Sequence, residues 1–140
     1  MIVLGICGKP LSGKTMYTNR LVEKLGLDKC SYLNLDNYKI NNLFVPDSYD
    51  FIKFISDINN NSKPIVILEG HFIFCNQSLM ETMTIKIYID TIDTINISTL
   101  ATSISNYIIP SKSNADIIVY ANNNSIKSIE LLVGFINNKL

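Results

Sequence analysis

The run Gly8-Lys9-Pro10-Leu11-Ser12-Gly13-Lys14-Thr15 satisfies G-x-x-x-x-G-K-[ST], and each fixed residue type suits one task in holding a phosphate. Gly8 and Gly13 let backbone N–H groups turn inward around an anion with no Cβ in the way. Lys14 supplies a point charge for β- and γ-phosphates, and the Thr15 hydroxyl is a ligand for Mg²⁺. A helix starting at Thr15 adds its positive N-terminal end. Lys9 either reaches a phosphate or is a solvated lysine. A chance match in a chain of this composition is on the order of a few per thousand. The expectation is a loop, Gly8 to Thr15, that holds the phosphates of ATP with Mg²⁺.

Transfer of a phosphoryl group also needs carboxylates that face the loop from the carboxyl ends of strands. Asp36 and Glu69 each follow an apolar stretch and fall in such places. Each has a plainer reading: Asp36 starts an Asx-turn, and Glu69 caps the loop backbone. His71, the one histidine, has no Ser or Cys partner in view and reads as a packed or polar edge residue rather than a base. A GTPase would show D-x-x-G after a strand and N-K-x-D, and neither occurs. A motor ATPase would want a strand ending in Asp-Glu and far more chain for coupling. A small-molecule kinase remains.

The elements that must carry these residues follow from hydrophobic patterning. Met1 to Cys7 is a continuous apolar run, the mark of a strand buried on both faces of a parallel sheet. Thr15 to Leu25 reads as a helix with Met16, Leu21, Val22 and Leu25 near helical spacing and Gly26 as C-cap. Ser31 to Asn34 is a second strand. Ser48 suits an N-cap for a helix over Tyr49 to Ile58 with Phe51, Ile52, Ile55 and Ile58 on one face. Strands follow at Pro64 to Leu68, Thr84 to Ile89 and Asp116 to Tyr120. A weakly periodic helix is expected over Thr94 to Ile108, and a closing helix over Ser125 to Leu140 with Ile126, Ile129, Leu132, Val133 and Ile136 inward. Strands alternating with helices predict a three-layer α/β fold: a doubly wound, five-stranded parallel sheet in the order 2-3-1-4-5, as one domain.

Composition sets the outer limits. A chain of 140 residues makes one domain and buries about 68% of its unfolded surface, so it needs no staple. Twelve basic and twelve acidic residues cancel, which gives no general attraction to nucleic acid or anionic lipid. Three scattered cysteines, Cys7, Cys30 and Cys75, read as reduced thiols of a cytoplasmic protein. The first apolar run has no basic residues before it and is too short for a signal peptide or a membrane span.

Beyond the loop, the chain resembles the uridine kinase and nicotinamide riboside kinase group of P-loop kinases. The matching segments are Gly8 to Thr15, Leu35-Asp36-Asn37-Tyr38, Pro46-Asp47-Ser48-Tyr49-Asp50, Ile67-Leu68-Glu69-Gly70 with Phe74, and Pro110-Ser111-Lys112 followed by Ala115-Asp116-Ile117-Ile118. The resemblance implies that Asp36 accepts the proton of an attacking ribose hydroxyl and helps hold Mg²⁺. It places Glu69 near substrate hydroxyls or a metal-bound water. It matches Tyr49 and Asp50 to a pair that contacts a nucleoside, and sets Tyr38 to stack on the base. The plainer readings are packing for both tyrosines and a favourable first-turn charge for Asp50. Residues that contact the base are expected around Asn122 to Ser125.

The group carries an arginine-rich lid before the Pro-Ser segment. The corresponding stretch here, residues 91–109, is short and holds neither arginine nor lysine. Such an arginine is worth ~10³ to 10⁵ in rate. Three readings therefore stand: a compact kinase for a nucleoside or riboside, a nucleotide-binding pseudokinase with a regulatory role, and a kinase for another small hydroxyl compound.

Overall fold

The structure, a computed structural model, describes residues 1–91, 100–120 and 125–140. Its elements are β1 (Ile2–Gly8), α1 (Lys14–Leu25), β2 (Cys30–Asn34), α2 (Phe51–Asn59), β3 (Ile65–Glu69), α3 (Gln77–Met80), β4 (Ile85–Asp90), α4 (Ala101–Ser103), α5 (Ile109–Ser111), β5 (Ile117–Tyr120) and α6 (Ser125–Lys139). The five strands form one parallel sheet in the order β2-β3-β1-β4-β5. The expected fold class is the one found.

The apolar runs explain the centre of this sheet. Every residue of β1 and β3 is buried, as a strand flanked by neighbours and covered on both faces must be. Alternation then divides the side chains between two cores. Leu4, Ile6, Ile67 and Ile87 meet Tyr17 and Leu21 of α1 and Ile129, Leu132 and Ile136 of α6. Val3, Cys7, Val66, Leu68 and Tyr88 meet Phe54 and Ile58 of α2 and the Phe72-Ile73-Phe74 run after β3. Because all strands run the same way, Gly8, Asn34 and Glu69 end on one edge of the sheet. Asn34 pairs in register with Glu69, and Ile6 of β1 flanks Glu69 from the other side.

Four local expectations change. Ser48 does not cap α2: it lies in a 3₁₀ turn, Pro46–Ser48, and Asp50 is the N-cap, its side chain accepting from the Lys53 N–H at 3.0 Å. With the helix starting later, Phe54 and Ile58 form the buried stripe and Ile52 points outward at 85% exposure. Met16 and Ile126 are likewise exposed, because Tyr17 and Thr18 take the inner face of α1 and the α6 stripe begins at Ile129. The helix expected over Thr94 to Ile108 lies outside the described residues for 92–99. From Ala101 it is helical but passes through a π turn, Ile104–Ile108, just before Pro110. Proline has no N–H to continue an α-helical ladder, and a wider turn absorbs that loss.

Candidate active site

The loop between β1 and α1 has the backbone that its glycines predict. A Cβ on Gly8 would sit 2.6 Å from the Ile89 carbonyl oxygen and 2.8 Å from Ser12 Oγ, so only hydrogen fits. Gly13 has open space around it but a φ of 93°, a conformation that costs side-chain-bearing residues roughly 1 kcal/mol or more. Leu11 also adopts positive φ, 62°, and does so at 80% exposure, with no packing to compensate. Strain held at an exposed loop residue is a mark of a functional turn.

Lys14 opens α1 with its side chain folded under the loop, 7% exposed. Its Nζ donates to the Lys9 carbonyl at 2.7 Å and to Ser12 Oγ at 3.4 Å. Among the described residues no carboxylate forms an ion pair with it. Burial pulls the ammonium down to about 8, against the opposing pull of Cys7, Glu69 and Asp36. A buried cation held only by neutral oxygens is an unbalanced charge, and an anion entering the loop would balance it.

Across the cavity, Glu69 ends β3 at 2% exposure. Its Oε1 accepts from the Thr15 hydroxyl at 2.8 Å. Its Oε2 accepts from the Tyr32 hydroxyl and, at 3.0 Å, from Asn34 Nδ2. Tyr32 and Asn34 are two apart on β2, so they share a face, and the register sets Asn34 directly beside Glu69. Because Thr15 donates its proton to Glu69, its lone pairs are turned toward the cavity, the arrangement a Mg²⁺ ligand requires.

Asp36 lies one turn beyond β2. The Asn34 side chain accepts from the Asp36 N–H at 2.9 Å, so the Asx-turn expected here is present, formed by Asn34 rather than by Asp36. The Asp36 carboxylate is exposed to the cavity that also contains Ser12, Lys14, Thr15, Glu69 and His71, about 390 Å³ in volume. Behind it lies Tyr49, buried, whose hydroxyl is pushed up to about 12 by burial first and then by the charge and hydrogen bond of Asp36. Tyr49 therefore stays neutral beside the carboxylate.

Leu11 to Thr15, Asp36 and Glu69 thus meet in one cavity; Gly8, Lys9 and Pro10 do not line it, Lys9 holding Lys14 and Gly8 holding His71 through their carbonyls. Tyr38 and Asp50 do not line this cavity. The Tyr38 hydroxyl donates to Asp57 Oδ2 at 2.6 Å and its ring packs 4.8 Å from Phe54, while Asp50 caps α2. Of the shortened stretch 91–109, residues 92–99 lie outside the described residues, as do 121–124 of the segment expected to contact a base. The first lysine after that stretch, Lys112, is tied to Asp90 at 2.6 Å, so it does not stand in for a lid arginine.

Sequence reasoning passed over three residues: Tyr32, Asn34 and His71. The first two were visible only as an i, i+2 pair on β2. His71 reads in the sequence as a packed or polar edge residue; its ring does pack against Phe44 and Phe72, its Nδ1 lies 3.1 Å from the Gly8 carbonyl, and it also forms part of the cavity wall. Burial first, then Lys14, holds it down to about 4.

No protein-family model matches the chain. A search of characterised proteins finds similarity to uridine-cytidine kinase A of Dictyostelium discoideum, 26% identical over 198 aligned positions that span 99% of this chain and 40% of the relative. The sequence is thus similar to a uridine-cytidine kinase along nearly all of this chain. Among solved structures, a possible uridine kinase from Bacillus stearothermophilus superposes with a TM-score of 0.62 at 14% identity, covering 84% of this chain and 88% of that one. Shikimate kinase from Bacteroides thetaiotaomicron gives 0.63 at 14% identity, covering 97% and 98%. The chain spans only about 40% of the length of the curated relative it matches. The 198 aligned positions also exceed its own 140 residues, so the relative carries insertions that this chain lacks. Among the described residues no helix is long and apolar enough to cross a membrane.

Proposed function

We propose that the chain is an ATP- and Mg²⁺-dependent kinase that transfers the γ-phosphoryl group to a hydroxyl of a nucleoside or riboside. The observation that supports this most is the buried Lys14, which no carboxylate among the described residues pairs, sharing one cavity with the Asp36 carboxylate. The loop residues Gly8 to Thr15 bind the triphosphate through their N–H groups and Lys14. Thr15, oriented by Glu69, and Asp36 are the residues that hold Mg²⁺. A Mg²⁺ held by these two residues would supply charge neutralisation at the transferring phosphate. Asp36 takes the proton of the acceptor hydroxyl as the hydroxyl oxygen bonds to the γ-phosphorus and the bond to the β-phosphate oxygen breaks. Positioning and charge stabilisation are most of what such a reaction asks of a protein. We read Tyr38 and Asp50 as supports for the wall that carries Tyr49. Three thiols without disulfides and an ATP-dependent reaction fit the cytoplasm.

The test is ADP release with Mg²⁺ and ATP over uridine, cytidine, nicotinamide riboside, shikimate, pantothenate and no acceptor, with Lys14→Ala as control. Release that depends on a riboside and disappears in Lys14→Ala supports the reading. Release with shikimate or pantothenate alone moves the acceptor to another small hydroxyl compound, a reading favoured by the shikimate kinase likeness. ATP binding without any release points to a regulatory, non-catalytic protein, which the absence of lysine and arginine from residues 91–109 favours.

A further inference from the structure

We propose that His71 is a specificity-determining residue of the acceptor side, its Nε2 accepting a hydrogen bond from a second hydroxyl of the acceptor while Asp36 takes the first. The inference rests on the kinase reading above and adds to it a residue and a requirement: the acceptor must be polyhydroxylated.

The argument starts from a tautomer. The Gly8 carbonyl can only accept, so the nitrogen 3.1 Å from it, Nδ1, carries the proton. In a neutral imidazole the other nitrogen, Nε2, then holds a lone pair. Among the described residues nothing hydrogen-bonds to Nε2. The ring is not free to turn toward another partner. Phe44 packs against it with centroids 5.4 Å apart at 63°, and Phe72 meets it at 6.4 Å and 82°. The backbone is pinned too, since the His71 carbonyl accepts from Cys7 Sγ at 3.4 Å. A clamped ring with one satisfied and one open nitrogen, set in the wall of the cavity that holds Asp36 and Lys14, is a fixed acceptor awaiting a donor.

The donor chemistry follows from the neighbours. Asp36 and His71 both line the cavity, and the carboxylate and the open Nε2 are both acceptors, while the charge of Lys14 is committed to the loop. A molecule with one hydroxyl satisfies one of them. A ribose or a cyclic polyol satisfies both, and leaving a polar group of the site unpaired is what lets such a site reject an analogue lacking a hydroxyl.

Two isosteres separate this role from a structural one. In His71→Asn the amide nitrogen replaces Nδ1 and keeps the bond to the Gly8 carbonyl, but no acceptor remains at the Nε2 position. In His71→Gln the longer amide restores an acceptor there. The expected result is an acceptor KM raised about tenfold in His71→Asn, with kcat and the KM for ATP unchanged, and largely recovered in His71→Gln. The wild-type enzyme should show the same rise for the 2′- or 3′-deoxy analogue of the accepted riboside, and His71→Asn should not discriminate further. Because His71 is the one histidine in the chain, its Nε2 is read directly by ¹⁵N NMR, and its resonance should shift with the acceptor and not with its deoxy analogue. Turnover with an unmoved Nε2 resonance, or an unchanged acceptor KM in His71→Asn, overturns this role and leaves the kinase reading intact. An acceptor panel that produces neither turnover nor a shift overturns both.

Discussion

The Thr15 hydroxyl, on the first turn of α1, donates to Glu69 Oε1 at 2.8 Å, although the two residues are 54 positions apart. The bond sets which way the Thr15 lone pairs face. In Glu69→Gln the new amide would donate where the carboxylate accepted, so Thr15 must turn its lone pairs to the amide and its proton to the cavity. Folding should survive, since the side chains are nearly the same shape. ADP affinity measured calorimetrically should fall about tenfold with Mg²⁺ present and stay unchanged with EDTA. An equal loss under both conditions would mean that Glu69 supports the loop and not the ion.

Tyr32 supports the same carboxylate from the other side. Burial first, then Glu69, raises its hydroxyl above the ordinary tyrosine range, so it remains a neutral donor to Oε2. In Tyr32→Phe, Oε2 keeps the Asn34 bond at 3.0 Å. The expected cost is about 0.5–1 kcal/mol in urea unfolding, with a smaller loss of Mg²⁺-dependent ADP affinity than in Glu69→Gln. An effect on affinity as large as that of Glu69→Gln would make Tyr32, rather than the carboxylate, the orienting group.

These two residues mark where the sequence stops being legible. The phosphate loop is readable because its chemistry is local: eight consecutive residues fix both spacing and conformation. The central strands are readable because burial on both faces writes a continuous apolar run, as in Ile65 to Leu68. Asp36 and Glu69 are readable as acids at strand ends. The Tyr32–Asn34–Glu69 network is not, because it exists only through the register of β2 on β3. Nor is the place of His71, whose partner Gly8 is 63 residues away and reached only because β1 and β3 are neighbours. Ser48 and Asp50 illustrate a smaller limit: both are good cap residues two apart, and the turn at Pro46 decides between them.

His71 makes the fold acid-sensitive. Burial first, then Lys14, pushes it from 6.5 down to about 4, with Lys39 acting in the same direction and the Gly8 bond and Asp36 opposing. Between these values the unfolded chain binds a proton that the folded chain does not, so stability is fully present above pH 6.5 and is lost as pH falls toward 4. His71→Asn removes this contribution. Urea unfolding at pH 7 and pH 5 should show the wild type losing on the order of 1 kcal/mol more than His71→Asn. Parallel losses in the two proteins would show that the histidine titrates in the fold as it does in the unfolded chain.

Lys14 gives the sharpest separation of stability from function. Its ammonium is buried, has no carboxylate partner among the described residues, and is pulled down to about 8, chiefly by burial. Replacing it with an unbranched apolar side chain of similar length removes a desolvated charge, at the cost of one donor each to the Lys9 carbonyl and the buried Ser12 hydroxyl. Lys14→Met should therefore be as stable as the wild type in the absence of nucleotide, or up to about 1 kcal/mol more stable. Its ATP affinity should fall on the order of a hundredfold, because charge-assisted bonds to the phosphates are lost. Thermal unfolding with and without Mg²⁺–ATP reads both quantities: nucleotide should raise the wild-type midpoint and leave that of Lys14→Met in place. A variant that loses stability without nucleotide, and still shifts with it, would place Lys14 in the structural frame of the loop instead of in its anion site.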